Sequence, residues 1–289
     1  MKNKINILIL LVLLAIVNSL SARDKPAYKI FTSDGKEVDF DQMMKGISKN
    51  QVIFFGELHN NSIAHWLQLE VTMSLFEEKK KNLILAAEMF ESDDQLIINE
   101  YLQGKLSEKT FKDEAKLWPN YDTDYKPLMD FAKTNGLAFI CANIPRRYAN
   151  LVYNKGLAAL DSLDKEAMKY IAPLPMLYDG ELTCYKDIVA NAGGHGGENL
   201  PKSQAIKDAT MGWFISKYLS KDVQIIHYNG SYHSDREEGA AWYLKQYTPG
   251  VTIGSITTKE QADIKKLDDE NKSTADYIIV VPENMTKTY

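Results

Sequence analysis

Short apolar, β-branched runs alternate along the chain with longer segments in which apolar residues recur at helical spacing. Runs with the length and composition of buried strands lie at 51–55, 82–87, 137–142, 223–228, 251–256 and 277–281. They are hydrophobic nearly throughout, as are the strands of a parallel sheet that is covered on both faces. The pattern therefore predicts an α/β fold with a mostly parallel sheet flanked by helices.

Helical periodicity is clearest between the first two strands, where 62–81 has apolar residues on one side and charges on the other. Ser62 is the expected N-cap of this helix. Further helices are predicted at 94–103, 108–117, 125–135, 165–171, 204–219 and 237–246. The region 93–118 is thus an almost purely helical excursion. The segment at about 173–203 is predicted to be an irregular Gly-rich insertion or lid, because its glycine density disfavours a helix.

Residues 1–22 have the layout of a secretory signal peptide, with a positive start and cleavage near Ser21 or Ala22. The aliphatic run 5–17 is about 13 residues, short of the roughly 20 that a spanning helix needs. No cysteine lies near the cleavage site, which argues against a lipid-anchored N-terminus. We therefore expect an exported protein of the periplasm or cell envelope, with 23–289 forming a single domain.

Composition narrows the classes of partner. Without the two lysines of the signal peptide, 32 Lys and Arg stand against 39 Asp and Glu, a net charge of −7. Nucleic acid rewards a basic face, so no nucleic-acid partner is expected. Cys141 lies in an apolar strand-like run and Cys184 in a separate segment. Two cysteines give no disulfide framework, and both are predicted to be free or buried thiols.

Four predicted strands are each followed by ionisable residues. Glu57 and His59 follow the first strand, Glu88 the second, Arg146 the third and His233 the fourth. In open α/β sheets, ligands bind in the crevice beyond the carboxyl ends of the strands. We therefore expect these side chains to converge on one site.

A divalent metal such as zinc or manganese is one occupant that these residue types suit. Glu57 and His59 have period-two spacing and share a face in an extended segment, so Glu57, His59 and His233 are the metal-ligand candidates, with Glu88 nearby. His65, on the following helix, can return to the same mouth. The structural alternatives are a salt bridge in the turn for Glu57 and His59, and a partly exposed helix histidine for His65.

Glu88 and Arg146 also allow two interpretations. An unpaired carboxylate at the end of an aliphatic strand is costly, so Glu88 needs a partner such as Arg146, a histidine or a metal. The planar guanidinium of Arg146 suits the carboxylates of a ligand. The alternative for Arg146 is a buried ion pair at the edge of the sheet.

Other candidates carry weaker signals. His195 lies among glycines and is accessible enough to act as a ligand or gating residue. Tyr178, Tyr185 and Tyr232 are candidate phenolate ligands for ferric iron. His227 lies within a strand and is predicted to be a core histidine with a hydrogen-bonded partner.

The sequence GELHNN at 56–61, together with His65 and Gln68, resembles the opening motif of the ChaN-like haem-binding uptake proteins. Their superfamily also includes the Tiki-type metalloproteases and the erythromycin-esterase-like proteins. The later pieces that agree are ANIPR at 142–146, QAIKDATM at 204–211, and YNGSYH at 228–233 with Gly239 downstream. The resemblance runs from about 35 to 256.

The resemblance implies an exported bacterial protein that binds haem and serves iron acquisition. It implies a histidine or tyrosine on the iron and a basic residue on the propionates. The candidates for these roles are His59, His65, Arg146, His195, His233 and Tyr185. Implied partners are haem, an outer-membrane haem receptor or transport components, and a second subunit in a homodimer. Many members are lipoproteins, and the missing cysteine is a departure from them.

The alternative function is that of a metal-dependent hydrolase or peptidase of the Tiki type. Glu57, His59, Glu88 and His233 would then hold the metal or activate water. A metal-free interpretation keeps these residues as acid and base for ester chemistry. It is the weakest of the three, because no serine or cysteine sits on a strand-to-helix elbow beside them.

Overall fold

The structure is a computed structural model that describes residues 25–193 and 196–289. The predicted signal peptide and His195 lie outside the described residues. The strands are β1 Lys29–Thr32, β2 Glu37–Val38, β3 Val52–Glu57, β4 Leu83–Glu91, β5 Ala138–Asn143, β6 Gln224–Gly230, β7 Ile253–Gln261 and β8 Tyr277–Pro282. The α-helices are α1 Phe40–Ile47, α2 Ser62–Lys79, α3 Gln95–Leu102, α4 Glu108–Glu114, α5 Lys126–Asn135, α6 Arg146–Lys155, α7 Thr183–Asn191, α8 Leu200–Ser216 and α9 Gly239–Tyr247.

The strands form one sheet in the order β2-β1-β8-β7-β3-β6-β4-β5. From β8 to β5 all neighbours are parallel, and β1 runs antiparallel to both β2 and β8. Every residue of β3 and β6 is buried, because helices cover both faces of these central strands. The predicted α/β fold with a mostly parallel sheet is confirmed. In the described part of the chain, no helix is both long and apolar enough to span a membrane.

All six strands predicted from the sequence are present, and β1, β2 and α1 precede them. Asn61, and not Ser62, caps α2, since its side chain accepts hydrogen bonds from two backbone N–H groups of the first turn. Only a short 3₁₀ turn, Ala167–Tyr170, forms where a helix was predicted at 165–171.

The segment at 173–203 is less irregular than predicted. It contains α7 and the first turn of α8, and the glycines lie between these two helices. Cys184 and Tyr185 of α7 are buried in a small apolar cluster with Ala205 of α8. Packing against α8 therefore stabilises α7, a helix that the sequence pattern did not predict because glycines lie next to it.

Two structural predictions for buried polar and thiol groups are confirmed. Cys141 and Cys184 are both free and buried. His227 is completely buried in β6, and its Nδ1 lies 3.0 Å from Asn229 Oδ1. Burial lowers the pKa of His227 to about 4, so its imidazole is neutral at neutral pH.

Candidate functional site

A cavity of about 460 Å³ opens beyond the carboxyl ends of β3, β4, β5 and β6. Its floor contains the strand-end residues His59, Glu88, Asn143, Gly230 and His233. Two walls are the faces of α6 and α8, each with the i, i+3, i+4, i+7 spacing of one helix face. These faces are Arg146, Ala149, Asn150 and Tyr153 on α6, and Leu200, Ser203, Gln204 and Lys207 on α8. The structure thus brings four of the five strand-end candidates to one cavity, with Glu57 directly beneath.

Glu57 is the last residue of β3 and is 1% exposed. Its Oε1 accepts hydrogen bonds from Tyr125 Oη at 2.7 Å and from His59 Nδ1 at 2.8 Å. Its Oε2 accepts one from Gln68 Nε2 at 2.5 Å. The carboxylate is therefore fixed in orientation, and it fixes the imidazole of His59 with Nδ1 as the donor.

His59 keeps an accessible side chain, 36% exposed, at the cavity floor. Burial opposes its protonation, but the hydrogen bond to Glu57 and the charge of Glu88 outweigh this and raise the pKa of His59. Because Nδ1 is held by Glu57, Nε2 is the nitrogen left for a ligand. This nitrogen lies beside Gly230, where an added Cβ would approach it to 2.7 Å.

Replacing Glu57 by glutamine is expected to lower the pKa of His59, because the burial that opposes protonation remains while the carboxylate charge is lost. An NMR titration of the imidazole C–H signals measures this. Glu91→Gln is the matched control, since Glu91 also lines the cavity but pairs with Lys116 at 3.1 Å. An unchanged His59 pKa in Glu57→Gln contradicts the coupling.

His65 lies behind Glu57 and does not line this cavity. It is 6% exposed, with Nε2 3.1 Å from the backbone O of His59 and 3.4 Å from Asp124 Oδ2. Its Nδ1 lies 3.2 Å from Gln68 Oε1. His65 therefore supports the turn at His59. It is buried, and so it is not the partly exposed helix histidine that was its structural alternative.

A buried chain of three charged side chains continues the floor. His233 Nδ1 lies 2.5 Å from Asp208 Oδ1, and its Nε2 lies 3.2 Å from Glu88 Oε1. Glu88 Oε2 also accepts a hydrogen bond from the backbone N–H of Gly230 at 2.7 Å. The partner that Glu88 was predicted to need is thus His233 and not Arg146.

These contacts set the protonation states of His233, Glu88 and Asp208. Burial disfavours the imidazolium of His233, but the charges of Glu88 and Asp208 outweigh it and raise the pKa of His233 to about 10. Burial also opposes ionisation of Glu88, yet His233 holds the pKa of that carboxyl well below its ordinary value. For Asp208, burial has the larger effect and raises the pKa, although the charge of His233 lowers it. At neutral pH His233 is therefore a fixed cation with both nitrogens engaged.

The metal-site interpretation is not supported. Among the described residues no group of three or more His, Cys, Asp and Glu side chains is placed to hold a metal ion. Glu57 already accepts three hydrogen bonds, and both ring nitrogens of His233 contact carboxylates. His59 alone of the three predicted ligands keeps a free nitrogen.

Asp208, which lies beneath His233, is the residue of the site that sequence reasoning missed. Asp208 was present only within the QAIKDATM motif, and its i, i+4 spacing from Gln204 was the signal that could have placed both on one face of α8. Tyr185, predicted as a candidate ligand, does not line the cavity: it is 1% exposed and donates a hydrogen bond from Oη to Asp208 Oδ2 at 2.9 Å. Burial raises the pKa of Tyr185 far above its ordinary value, so its phenol stays protonated beneath the floor.

Arg146 is the first residue of α6 and is exposed at the cavity wall. In the described ranges no carboxylate lies within salt-bridge distance of it, whereas neighbouring Arg147 pairs with Asp93 at 2.6 Å. Arg146 is thus not the buried ion-pair residue that was its structural alternative. Its guanidinium remains free for a ligand.

The fold and the strand-end cavity define a class of α/β proteins that bind ligands at the carboxyl edge of the sheet. The chain belongs to the family described as haem-binding uptake, Tiki superfamily, ChaN, whose sequence model matches residues 43–244. The membership inferred from the four motifs is therefore confirmed.

Similar solved structures extend over most of the chain. ChaN of Campylobacter jejuni, solved with cofacial haem binding, is 15% identical and has a TM-score of 0.64, over 89% of this chain and 98% of that one. An erythromycin esterase in its open conformation is 10% identical with a TM-score of 0.48, over 80% and 77% of the two chains.

RETICULATA-RELATED 5, a chloroplastic protein of Arabidopsis thaliana, is 26% identical over 104 residues, which are 35% of this chain and only 14% of that protein.

Proposed function

We propose that this chain is an exported haem-binding protein of the bacterial cell envelope that serves haem and iron acquisition. The observation that carries the proposal is His59, an accessible imidazole on the cavity floor whose Nδ1 is held by the buried carboxylate of Glu57. Histidines that bind metals commonly donate their other ring N–H to a carboxylate in this way. Family membership supports haem as the ligand.

The cavity suits an apolar ring with polar edges. Its volume of about 460 Å³ falls within the range of roughly 300–1,000 Å³ for small-molecule sites. Apolar side chains lie around the ionisable floor, among them Trp118, Tyr153, Ile188 and Leu200. The buried Oδ1 of Asn143, which lines the cavity, has no hydrogen-bond partner in the described part of the chain. The residues present therefore fit a ligand with both apolar surface and polar groups.

The two strand-end histidines take different roles in this proposal. Haem, when bound, would supply an iron that can accept an imidazole nitrogen, and His59 would hold it through Nε2. His233 holds Glu88 and Asp208 in place as a cation, and a protonated imidazole has no lone pair to give to iron. Tyr232, which lines the cavity and is 46% exposed, is the accessible alternative ligand.

Replacing Gly230 by alanine is expected to weaken haem binding by about tenfold or more, because the new methyl group would lie 2.7 Å from His59 Nε2 and push the imidazole out of place. An absorbance titration with haem measures the affinity. The matched control is Gly180→Ala, whose methyl group has Tyr178 Oη, at 3.2 Å, as its nearest neighbour. Unchanged haem affinity in Gly230→Ala would argue against ligation at this nitrogen.

Export and partners belong to the same proposal. Secretion predicts that the protein recovered from the producing cell begins near Ser21 or Ala22, which N-terminal sequencing can establish. Acquisition implies an outer-membrane haem receptor or transport components that hand haem over. Pairing of two subunits around haem is a further part of the proposal, which the mass of the haem complex in solution tests.

A further inference from the structure

The two helices that wall the cavity are held in a definite antiparallel register. The C-terminal end of α6 lies beside the start of α8, where an added Cβ on Gly156 would come 3.4 Å from Asn199 Oδ1. One to two turns further along, Ser203 Oγ donates a hydrogen bond to the backbone O of Ala149 at 2.8 Å. Following the same register toward the sheet brings the start of α6 opposite the middle of α8.

This register places two cations across the groove from each other. Arg146 lies one turn before Ala149 on α6, and Lys207 lies one turn after Ser203 on α8. Both side chains line the cavity next to the strand ends. Arg146 and Lys207 therefore lie on different walls but at the same end of the cavity, in the corner where α6 and α8 approach the strand ends.

Neither cation has an acidic partner in the described part of the chain. In residues 25–193 and 196–289 no carboxylate lies within salt-bridge distance of Arg146 or Lys207, and the polar contact of Lys207 is Gln204 Oε1 at 3.5 Å. Arg147, the next residue along, does pair with an acid, Asp93. Like charges that line one cavity repel each other, so an anion bound between them would be stabilised by both.

Each carboxylate that lines the cavity has a cationic partner, although Lys116 also contacts Asp93 and His233 also contacts Asp208. Glu88 is engaged by the cation of His233 at 3.2 Å, and Glu91 by Lys116 at 3.1 Å. The corner between α6 and α8 therefore carries two cations without an acidic partner among the described residues, and the floor of the same cavity carries the accessible imidazole of His59.

We propose that Arg146 and Lys207 form an anion subsite that takes the carboxylates of the bound ligand and so orients it in the cavity. The guanidinium can grip a carboxylate with two parallel hydrogen bonds, and the lysine adds a mobile point charge. The ligand class is a tetrapyrrole with ionised carboxylates along one edge. This carboxylate edge would lie between α6 and α8. This inference rests on the proposed haem binding and deepens it by giving the ligand a direction.

The experiment compares two ligands that differ only in their carboxylates, haem and haem dimethyl ester, by absorbance titration. Arg146→Gln and Lys207→Gln are each expected to weaken haem binding roughly tenfold, the value of one charge-assisted hydrogen bond. The ester is expected to bind wild type more weakly than haem does, and to bind both variants as it binds wild type. Lys202→Gln is the matched control, since it removes one charge from the same helix outside the cavity lining.

The outcomes separate the subsite from haem binding itself. If wild type binds haem and the ester equally well, or if the variants lose both ligands in parallel, the subsite is overturned while haem binding stands. If wild type binds neither ligand, the proposed function and the subsite fall together. All three variants are expected to unfold at the wild-type temperature, because Arg146 and Lys207 form no ion pair with any described residue and the Lys202–Glu198 pair, at 3.9 Å, is exposed to solvent.

Discussion

Replacing His59 by alanine is expected to lower the affinity for haem by about 100-fold and to shift the Soret band of any haem that still binds. His59 is the imidazole in the cavity that combines exposure with a nitrogen free of hydrogen bonds to carboxylates. Its loss leaves the buried support of Glu57 intact, because Tyr125 and Gln68 still donate to that carboxylate. The protein should therefore stay folded while the iron loses its ligand.

The matched variant is Tyr232→Phe, which removes the other accessible candidate ligand from the cavity lining. We expect it to leave the Soret position unchanged. If Tyr232→Phe shifts the band and His59→Ala does not, haem binds in the cavity but Tyr232, and not His59, is the iron ligand. If neither variant alters the spectrum or the affinity, haem does not bind through this cavity.

Replacing His233 by glutamine is expected to reduce the free energy of unfolding by about 3–5 kcal/mol, the typical cost of removing one partner from a buried ion pair. The substitution leaves Glu88 and Asp208 buried without the cation that both contact. Urea unfolding at pH 6 measures the loss. A variant as stable as wild type would contradict the assignment of His233 as a buried cation.

The pH dependence of the same loss gives an independent check. The pKa of His233 rises from an ordinary 6.5 to about 10 on folding, so its contribution is full below pH 6.5 and is lost as the pH rises through about 10. The lowered pKa of Glu88 gives a contribution that is present above its ordinary 4.5 and lost in acid. Asp208 opposes the pair, since its raised pKa makes its ionisation a cost above 3.8.

The stability that the Glu88–His233 pair adds is thus greatest between about pH 4.5 and 6.5. Wild type and His233→Gln should differ most there, and the difference should shrink as the pH approaches 10. Curves of unfolding free energy against pH that stay parallel up to that point would show that His233 is not the titrating group.

The convergence of the site could be predicted from the sequence because it follows from topology. Parallel strands end at one edge, so residues placed directly after β3, β4, β5 and β6 must meet there. Glu88, Arg146 and His233 reach the cavity for this reason, as does His59. The partners of these residues that lie on helices, such as Asp208, were not predictable in the same way.

Asp208 and Tyr185 illustrate that limit. Both lie on helices, so the contact of Asp208 with His233 and that of Tyr185 with Asp208 depend on how α7 and α8 pack against each other and the sheet. The sequence treats His59 and His233 alike, as histidines that follow strands. The structure separates them by their partners, since one imidazole contacts a single carboxylate and the other contacts two.

His65 shows the same dependence on orientation. Its place in the first turn of α2 fits a return to the cavity mouth, yet its ring packs edge-on against Tyr125 and faces Asp124. A rotation of α2 by a fraction of a turn decides between these two directions, and the apolar packing beneath the helix sets that rotation. Sequence spacing alone does not contain it.

The central claim is that the strand-end cavity binds haem, and a titration of the purified protein with haem, followed by absorbance, tests it most directly. We predict saturable binding with a Soret shift, weakened by His59→Ala and by Gly230→Ala but not by Gly180→Ala. A wild-type protein that gives no Soret shift and no saturation would contradict the claim.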